Sequence, residues 1–343
     1  MRCKFLWSVV GALAAVASTG RAAEPPVAGA SGKELASLEW KTGAPTPFPR
    51  VESPTAVIDG KLFLFGGFTD DLGASNQVDV YDPASDTWTR RSDMPTGVTH
   101  LNPAIDEKTN TLWLAGGFKG RHPGPVVAEV WKYDIAADHW TAGPPLPEPR
   151  AGGGLAVIGR KLHYFGGYKS DRQTDAGEHW SLSLDGGTSW AAEAEMHHPR
   201  GHVAAAVLDG KMYSLGGDHG HDATQIDLPF CEVYDPATKS WKEIASLPDG
   251  RSHFESSTII YRGGILLVGG RSNSPEPARG VLGELLLYDP EADSWKAVGT
   301  LPEKVLAPSA AIVGNRIVVI GGGLNNPRPL TAATHVATIP GAE

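Results

Sequence analysis

The chain has 343 residues, of which 41% are hydrophobic and 20% charged, a balance typical of a globular protein rather than a disordered one. Its formal net charge is −9 at pH 7 and no run of Lys or Arg stands out, so nucleic acid and anionic membrane surfaces are excluded as expected partners. The 42 Gly, 27 Pro and 10 Trp favour many short strands and tight turns over helices.

The N-terminal residues have the pattern of a secretory signal peptide. Arg2 and Lys4 precede a short apolar run, residues 5–17, and small residues follow up to Ala23. The run is too short to span a bilayer as a helix, so no membrane span is expected. We predict export to the periplasm or the extracellular space, and three segments: a signal peptide, residues 1–23; a flexible leader, residues 24–36; and a single folded domain, residues 37–343.

A repeat of 50 to 53 residues organises the rest of the chain. A Gly-Gly doublet follows an apolar run at six places: 66–67, 116–117, 166–167, 216–217, 269–270 and 321–322. A tryptophan keeps the same spacing: Trp40, Trp88, Trp140, Trp190, Trp241 and Trp295. Each period reads as four short strands, such as "HVAAAVL", "KMYSLGG", "CEVYDP" and a fourth that begins at the tryptophan.

A unit of this length with a Gly doublet and a Trp resembles the kelch repeat, whose blades build β-propellers. The resemblance covers about residues 40–339 and implies an all-β fold, a six-bladed kelch β-propeller with four antiparallel strands in each blade. The last period has no following Trp, and Trp40 precedes the first complete unit. We therefore expect the N-terminal strand to complete the last blade, which closes the ring and hides its sheet edges.

Kelch proteins usually bind their partners at one end of the central channel, where the first strand of each blade begins. Counting back from the doublets gives six equivalent positions: Glu52, His100, Gly152, His202, His253 and Ala307. We predict that His100, His202, His253 and Glu52 are catalytic, because imidazoles and a carboxylate can move protons at neutral pH. The three histidines could instead bind a divalent metal, so a metal cofactor stays an open alternative.

An arginine stands two residues before the ring position in four repeats: Arg50, Arg150, Arg200 and Arg251. We expect these arginines to hold an anionic group of a substrate, although they could merely cap turns and pair with loop carbonyls. Five more ligand-binding residues are expected from the loops and inward strand positions: His219, His221, Asp222, Glu255 and Asn102. His179 and other charged loop residues are expected at the same rim, whereas His163 is expected to be structural.

Two hypotheses for function follow. In the first, the site binds a polar, acidic carbohydrate and transforms it by epimerisation or lyase-type proton abstraction. Bacterial exported N-acetylneuraminate epimerases are similar in blade number and compartment, whereas galactose oxidase, although similar in its kelch blades, uses copper-site tyrosines that the ring positions lack. In the second, the chain is a non-catalytic scaffold that binds a protein partner, with Phe68, Phe118 and Tyr168 on an exposed aromatic rim.

Overall fold

A computed structural model describes residues 32–223, 225–273, 280–326 and 328–341. The expected signal peptide and residues 24–31 of the expected leader lie outside the described residues. The described chain is nearly all β, with two short 3-10 helices, Lys33–Ser37 and Glu255–Ser257. No helix in these ranges has the length and apolar character needed to cross a bilayer.

Six four-stranded antiparallel sheets form the blades of a ring, which confirms the predicted six-bladed propeller. Blades 1 to 3 contain β2 (Thr55–Ile58), β3 (Lys61–Phe65), β4 (Val78–Asp82) and β5 (Thr87–Arg91); β7 (Ala104–Asp106), β8 (Thr111–Ala115), β10 (Val130–Asp134) and β11 (His139–Ala142); and β12 (Gly154–Ile158), β13 (Lys161–Phe165), β14 (His179–Ser183) and β15 (Ala191–Ala192). Blades 4 to 6 contain β16 (Ala204–Leu208), β17 (Lys211–Leu215), β20 (Cys231–Asp235) and β21 (Ser240–Ile244); β22 (Thr258–Tyr261), β23 (Gly264–Val268), β26 (Glu284–Asp289) and β27 (Ser294–Thr300); and β28 (Ser309–Val313), β29 (Arg316–Ile320), β30 (Thr334–Thr338) and β1 (Lys41–Thr42).

Three two-stranded ribbons lie outside the blades. They pair β6 (Val98–Thr99) with β9 (Phe118–Lys119), β18 (Asp218–His219) with β19 (Ile226–Asp227), and β24 (Arg271–Ser272) with β25 (Gly280–Val281). Each ribbon includes the residues that directly follow a Gly doublet, so the loops after the doublets are tied to the ends of the blades.

The N-terminal strand closes the ring, as the position of Trp40 predicts. Strand β1 pairs antiparallel with β30, with Lys41 opposite Val336. The indole N–H of Trp40 donates to the carbonyl of Thr300 in blade 5, at 3.1 Å. The other periodic tryptophans make the equivalent bond to a backbone carbonyl of the preceding blade, so each indole ties its blade to the one before it.

The Gly doublets link neighbouring blades through the backbone. The N–H of Gly117 donates to the carbonyl of Arg150 in the next blade at 2.7 Å, and Gly322 donates to Arg50 at 2.8 Å across the closure. Gly117 has φ of 101°, and a Cβ there would lie 2.6 Å from the carbonyl oxygen of Thr99. Only glycine allows this backbone conformation and this close approach together.

Residues 33–36 of the expected leader belong to the first 3-10 helix. Leu35 is 1% exposed and packs in the apolar cluster that contains Val298 of β27. Glu34 accepts a hydrogen bond from Tyr261 and pairs with Arg262 at 2.7 Å. The buried Leu35 side chain and the partly exposed Glu34–Arg262 ion pair hold this segment against blade 5, which the leader's composition does not reveal.

Candidate functional site

Two sets of equivalent residues meet at the mouth of the channel. The first, which we call the ring set, is the series predicted from the repeat: Glu52, His100, Gly152, His202, His253 and Ala307. In each blade the residue before the ring position forms a β-bridge with the residue after the Gly doublet, as Gly201 does with Asp218. These partners form the second set, the bridge set: Phe68, Phe118, Tyr168, Asp218, Arg271 and Gly323.

All six ring-set residues have a left-handed backbone. The φ angles of Glu52, His100, His202 and His253 are 57°, 59°, 48° and 63°. This conformation costs about 1–2 kcal/mol for a residue other than glycine. The ring set therefore lies on a kink ahead of the first strand, not on the regular strand alternation that the sequence suggested. Ala307, with φ of 44°, shares this conformation, so the conformation belongs to the ring position itself, and the kink is what turns the side chains of this set toward one another.

The kink brings the four predicted catalytic residues together. His100 Nδ1 lies 2.9 Å from Glu52 Oε2, and His253 Nε2 lies 3.8 Å from Glu52 Oε1. The rings of His202 and His253 stack with centroids 3.9 Å apart, and those of His100 and His202 are 4.5 Å apart. The side chains of all four residues are at most 13% exposed.

Two more predicted ligand-binding residues join this group. Glu255 Oε1 lies 2.5 Å from His202 Nδ1, and His221 Nε2 lies 3.3 Å from His100 Nε2. Glu255 comes from the second 3-10 helix, and His221 comes from the loop after the blade 4 doublet. We call the resulting group the histidine cluster: Glu52, His100, His202, His221, His253 and Glu255.

The histidine cluster adjoins a cavity of about 440 Å³. Its polar lining is Glu52, His100, His122, His221, Asp222, Gln225, His253, Arg271 and Asn326. A larger cavity, about 640 Å³, runs along the first strands of blades 1 to 4 and is lined largely by aliphatic side chains such as Val157 and Val207. Charged residues, among them the Asp106–Arg160 pair, also line the larger cavity, but the smaller cavity is the one beside the histidine cluster, whose convergent titratable groups favour it as a small-molecule site.

Burial and neighbouring charges set the protonation of the cluster. Burial raises the pKa of Glu52 and lowers the pKa of His100 and of His253 well below its usual value. Burial also lowers the pKa of His202, but the surrounding carboxylates, Glu255 foremost, outweigh it and raise that pKa to about 9. At neutral pH the cluster therefore combines neutral imidazoles with one charged imidazole between carboxylates.

A second polar network from the bridge set supports the cluster. Tyr168 donates its hydroxyl to Asp218, and Arg271 lies 3.3 Å from Asp218 and 2.8 Å from Asp227. Burial raises the pKa of Asp218 to about 7. The sequence predicted Tyr168 only as part of an exposed aromatic rim, and it did not single out Asp227, which stands at no repeated polar position.

The prediction that four arginines hold an anionic substrate is wrong. Arg50, Arg150, Arg200 and Arg251 are at most 3% exposed. Each one pairs with an acidic residue at the start of the third strand of its own blade: Arg50 with Asp79, Arg150 with Glu178, Arg200 with Glu232, and Arg251 with Glu284. Their charges are already neutralised inside the blades, so they are structural.

Two other predicted ligand-binding residues also lie outside the cavity. The side-chain amide of Asn102 donates to the carbonyls of Gly153 and Val203, at 2.9 and 3.1 Å, and so ties three blades together. The side chain of His219 is 61% exposed and pairs with Asp175 at the outer rim. Both residues therefore have partners that a ligand would have to displace.

His179, expected at the rim, is instead buried in β14. Its Nε2 lies 2.8 Å from Nδ1 of His163, the histidine expected to be structural. Burial lowers the pKa of His163 to about 4 and the pKa of His179 to about 3. The two imidazoles are therefore a neutral pair inside the propeller, because β14 directs His179 toward the neighbouring strand.

This pair predicts a loss of stability in mild acid. Each imidazole binds its second proton more weakly in the folded chain than in the unfolded chain. The contribution of the neutral pair to the free energy of unfolding is therefore complete above pH 6.5 and is lost as the pH falls through about 4. We expect the protonation of His163 alone to lower the free energy of unfolding by about 2 kcal/mol between pH 7 and pH 5. Urea unfolding at both pH values, in the wild type and in H163F/H179F, measures the difference. Equal pH dependence in the two proteins would contradict the prediction.

The aromatic rim expected for a protein scaffold is not exposed. Phe68, Phe118 and Tyr168 are 7%, 2% and 0% exposed. Phe118 packs under the guanidinium of Arg172, 3.8 Å from its ring centre, and against His100. These aromatic side chains support the histidine cluster rather than offer a surface to a partner.

The sequence matches family models of kelch proteins, in agreement with the repeat and with the propeller fold. Residues 105–322 match the family model of the KLHDC2/KLHL20/DRC7 Kelch-repeats domain, and residues 49–95 match the Kelch motif. The chain therefore belongs to the kelch-repeat family. This architecture is consistent with a protein-interaction scaffold.

Individual kelch proteins are similar at moderate identity. The Arabidopsis thaliana Kelch repeat-containing protein At3g27220 is 27% identical over 85% of this chain and 74% of its own length. The Aspergillus terreus Kelch-like protein terF is 28% identical, over 67% of this chain and 52% of its own length. Human Kelch-like protein 23 is 24% identical, over 76% of this chain and 43% of its own. The match thus spans only about half of the latter two relatives.

A solved structure shows the same architecture. The structure titled "Structure of YjhT" superposes with a TM-score of 0.68 and covers 87% of this chain and 97% of the other. The two sequences are 16% identical, so this likeness concerns the fold alone.

Proposed function

We propose that this kelch propeller binds a polar small molecule, a carbohydrate, in the cavity beside the histidine cluster. The observation that carries the proposal is that Glu52, His100 and His253 converge on the wall of a cavity of about 440 Å³. This volume lies within the range of small-molecule sites, roughly 300–1,000 Å³. The hydroxyl groups of a sugar suit a cavity whose lining contains both donors, such as Arg271, and acceptors, such as Glu52.

The proposed reaction is proton transfer of the epimerase or lyase type. Such a step needs a positioned base, an acid and groups that stabilise charge. Glu52 and His253 lie 3.8 Å apart on the cavity wall and are suited to accept and return a proton. The four arginines predicted to hold an acidic group are buried in ion pairs within the blades, so the proposed ligand is a polar sugar that is either neutral or acidic.

We also propose that the protein is exported. Residues 1–23 have a basic start, an apolar core and small residues before Glu24, which is typical of a cleaved secretory signal. An exported protein that binds a small molecule would meet soluble carbohydrates outside the cytoplasm.

Titration with neutral hexoses, hexosamines and hexuronic acids tests the ligand. We expect isothermal titration calorimetry to detect binding of at least one of these sugars to the wild type. E52Q keeps the shape of the side chain, and H253N keeps a residue that tolerates the left-handed backbone, while each removes a proposed contact. We expect both variants to bind the sugar at least tenfold more weakly with similar unfolding temperatures.

H139A is the matched control, because His139 is exposed on β11 and far from the cavity lining. Its sugar affinity should equal that of the wild type. Wild-type affinity in both E52Q and H253N, or no binding of any sugar in the panel, would overturn the proposed function.

A further inference from the structure

Three histidines of the cluster bring one ring nitrogen each to a common point. One ligand atom from each of His100, His202 and His221 lies within 4.8 Å of the other two. The Nε2 atoms of His100 and His221 are 3.3 Å apart. Among the described residues, Nε2 of His202 has no hydrogen-bond partner, although the residue is only 1% exposed. Such a buried polar atom is costly unless something binds it.

The opposite nitrogen of each ring lies against a carboxylate. Three pairs occur: His100 Nδ1 with Glu52 at 2.9 Å, His202 Nδ1 with Glu255 at 2.5 Å, and His221 Nδ1 with Asp222 at 2.8 Å. A carboxylate at Nδ1 keeps a proton on that nitrogen, so that Nε2 is the atom free to bind a cation; at His202 the cation would displace the Nε2 proton. The arrangement is the one that metal-binding histidines adopt.

We propose that His100, His202 and His221 bind one divalent first-row cation such as Zn²⁺ through their Nε2 atoms. Three imidazole ligands leave one coordination position open, which is the ligand count of a catalytic zinc site. His100 and His221 line the cavity, so that position would be open to the ligand. The inference rests on the proposed function only for the role of this cavity; the cation site itself depends on the histidine geometry.

This set differs from the three histidines that the sequence suggested, because His221 replaces His253. Two other sets offer ligand atoms within the same distance: Glu52 with His202 and His253, and Asp218 with Asp227 and His253. In the latter, both carboxylates already contact the guanidinium of Arg271, at 3.3 and 2.8 Å. The former has one imidazole fewer than the proposed set, and its Glu52 Oε1 lies 3.8 Å from His253 Nε2.

Zinc titration of untagged, chelator-treated full-length protein tests the site. We expect about one equivalent of Zn²⁺ by calorimetry and by elemental analysis after dialysis. H202N should lose this binding, because asparagine keeps the left-handed backbone and a polar atom near Glu255 but lacks an atom at the Nε2 position. H221A should lose it as well. E255Q should weaken binding about 10–100-fold, since it removes only the carboxylate behind His202.

H219A is the matched control, because His219 lies two residues from His221 in the same loop but pairs with Asp175 at the rim. It should bind Zn²⁺ as the wild type does. Replacing zinc with Co²⁺ should give visible absorption bands of a nitrogen-ligated site in the wild type and in H219A but not in H202N. Circular dichroism without metal checks that each variant folds.

Less than about one tenth of an equivalent of Zn²⁺ in the wild type would overturn the inference, as would wild-type affinity in both H202N and H221A. Sugar titration of the metal-free wild type separates the two proposals. Sugar binding without any zinc binding would remove the cation site and leave the proposed function. Stoichiometric zinc binding without affinity for any sugar would support the cation site and overturn the proposed function.

Discussion

Replacing Arg200 with methionine is expected to destabilise the propeller by about 3–5 kcal/mol, because it leaves a buried carboxylate without its partner. Arg200 is 0% exposed and lies 2.7 Å from Glu232, whose side chain is also fully buried. The same guanidinium donates to the carbonyl of Gly216 at 2.7 Å and to the hydroxyl of Ser214 at 2.8 Å. Methionine fills similar volume but satisfies none of these acceptors.

The measurement is urea unfolding of the wild type, R200M and the control R121M. Arg121 also has an acidic partner, Asp71, but its side chain is 67% exposed, so its removal should have no measurable effect on stability. A second variant, R200M/E232L, removes both charges and should recover part of the loss. If R200M is as stable as the wild type and loses only sugar binding, Arg200 is a ligand-binding residue after all, and the structural assignment is wrong.

Much of the fold follows from local chemistry that repeats. The Gly doublet is visible in the sequence because the backbone there requires glycine, as the φ of 101° at Gly117 illustrates. Trp40 reveals the closure, because its indole makes the same backward contact as the other tryptophans, here with Thr300. The helix at residues 33–37 could not be predicted, because it depends on the apolar surface of blade 5. That blade lies about 260 residues further along the chain, which is the separation between Trp40 and its partner Thr300.

Only part of the candidate site could be predicted from the sequence. Counting back from the doublets found His100, His202 and His253 because equivalent positions in a propeller converge. The same count could not distinguish Arg200 from a ligand-binding residue, because its buried partner, Glu232, lies 32 residues away in another strand. The entry of His221 into the cluster depends on the path of a loop, which no repeat pattern specifies.

The left-handed ring positions connect the stability of the fold with its function. Gly152 occupies the ring position of blade 3 without backbone strain, whereas Glu52, His202 and His253 adopt the same conformation with side chains that disfavour it. A scaffold selected for stability alone would favour glycine at all of these positions. The strained backbone at Glu52, His202 and His253 lowers stability, and its retention where these side chains meet is consistent with a functional role for them.

The second large effect is expected from G201A, which should destabilise the protein by about 3 kcal/mol and displace the residues next to His202. Gly201 lies flat against the ring of Tyr168, and a Cβ there would be 2.0 Å from the Cζ atom of that ring. Tyr168 is fully buried and donates its hydroxyl to Asp218, so the ring has no direction in which to retreat.

A double-mutant cycle with Y168A shows whether the ring of Tyr168 is the obstacle. The double variant Y168A/G201A should be little less stable than Y168A alone, because the space that the ring vacates accommodates the new methyl group. G73A is the control, since its Cβ would meet side chains of Asp71 at 3.2 Å and Thr69 at 3.5 Å, and should cost much less. Full additivity in the cycle, or wild-type stability of G201A in urea unfolding, would show that Gly201 is not what allows Tyr168 to reach Asp218 beside the histidine cluster.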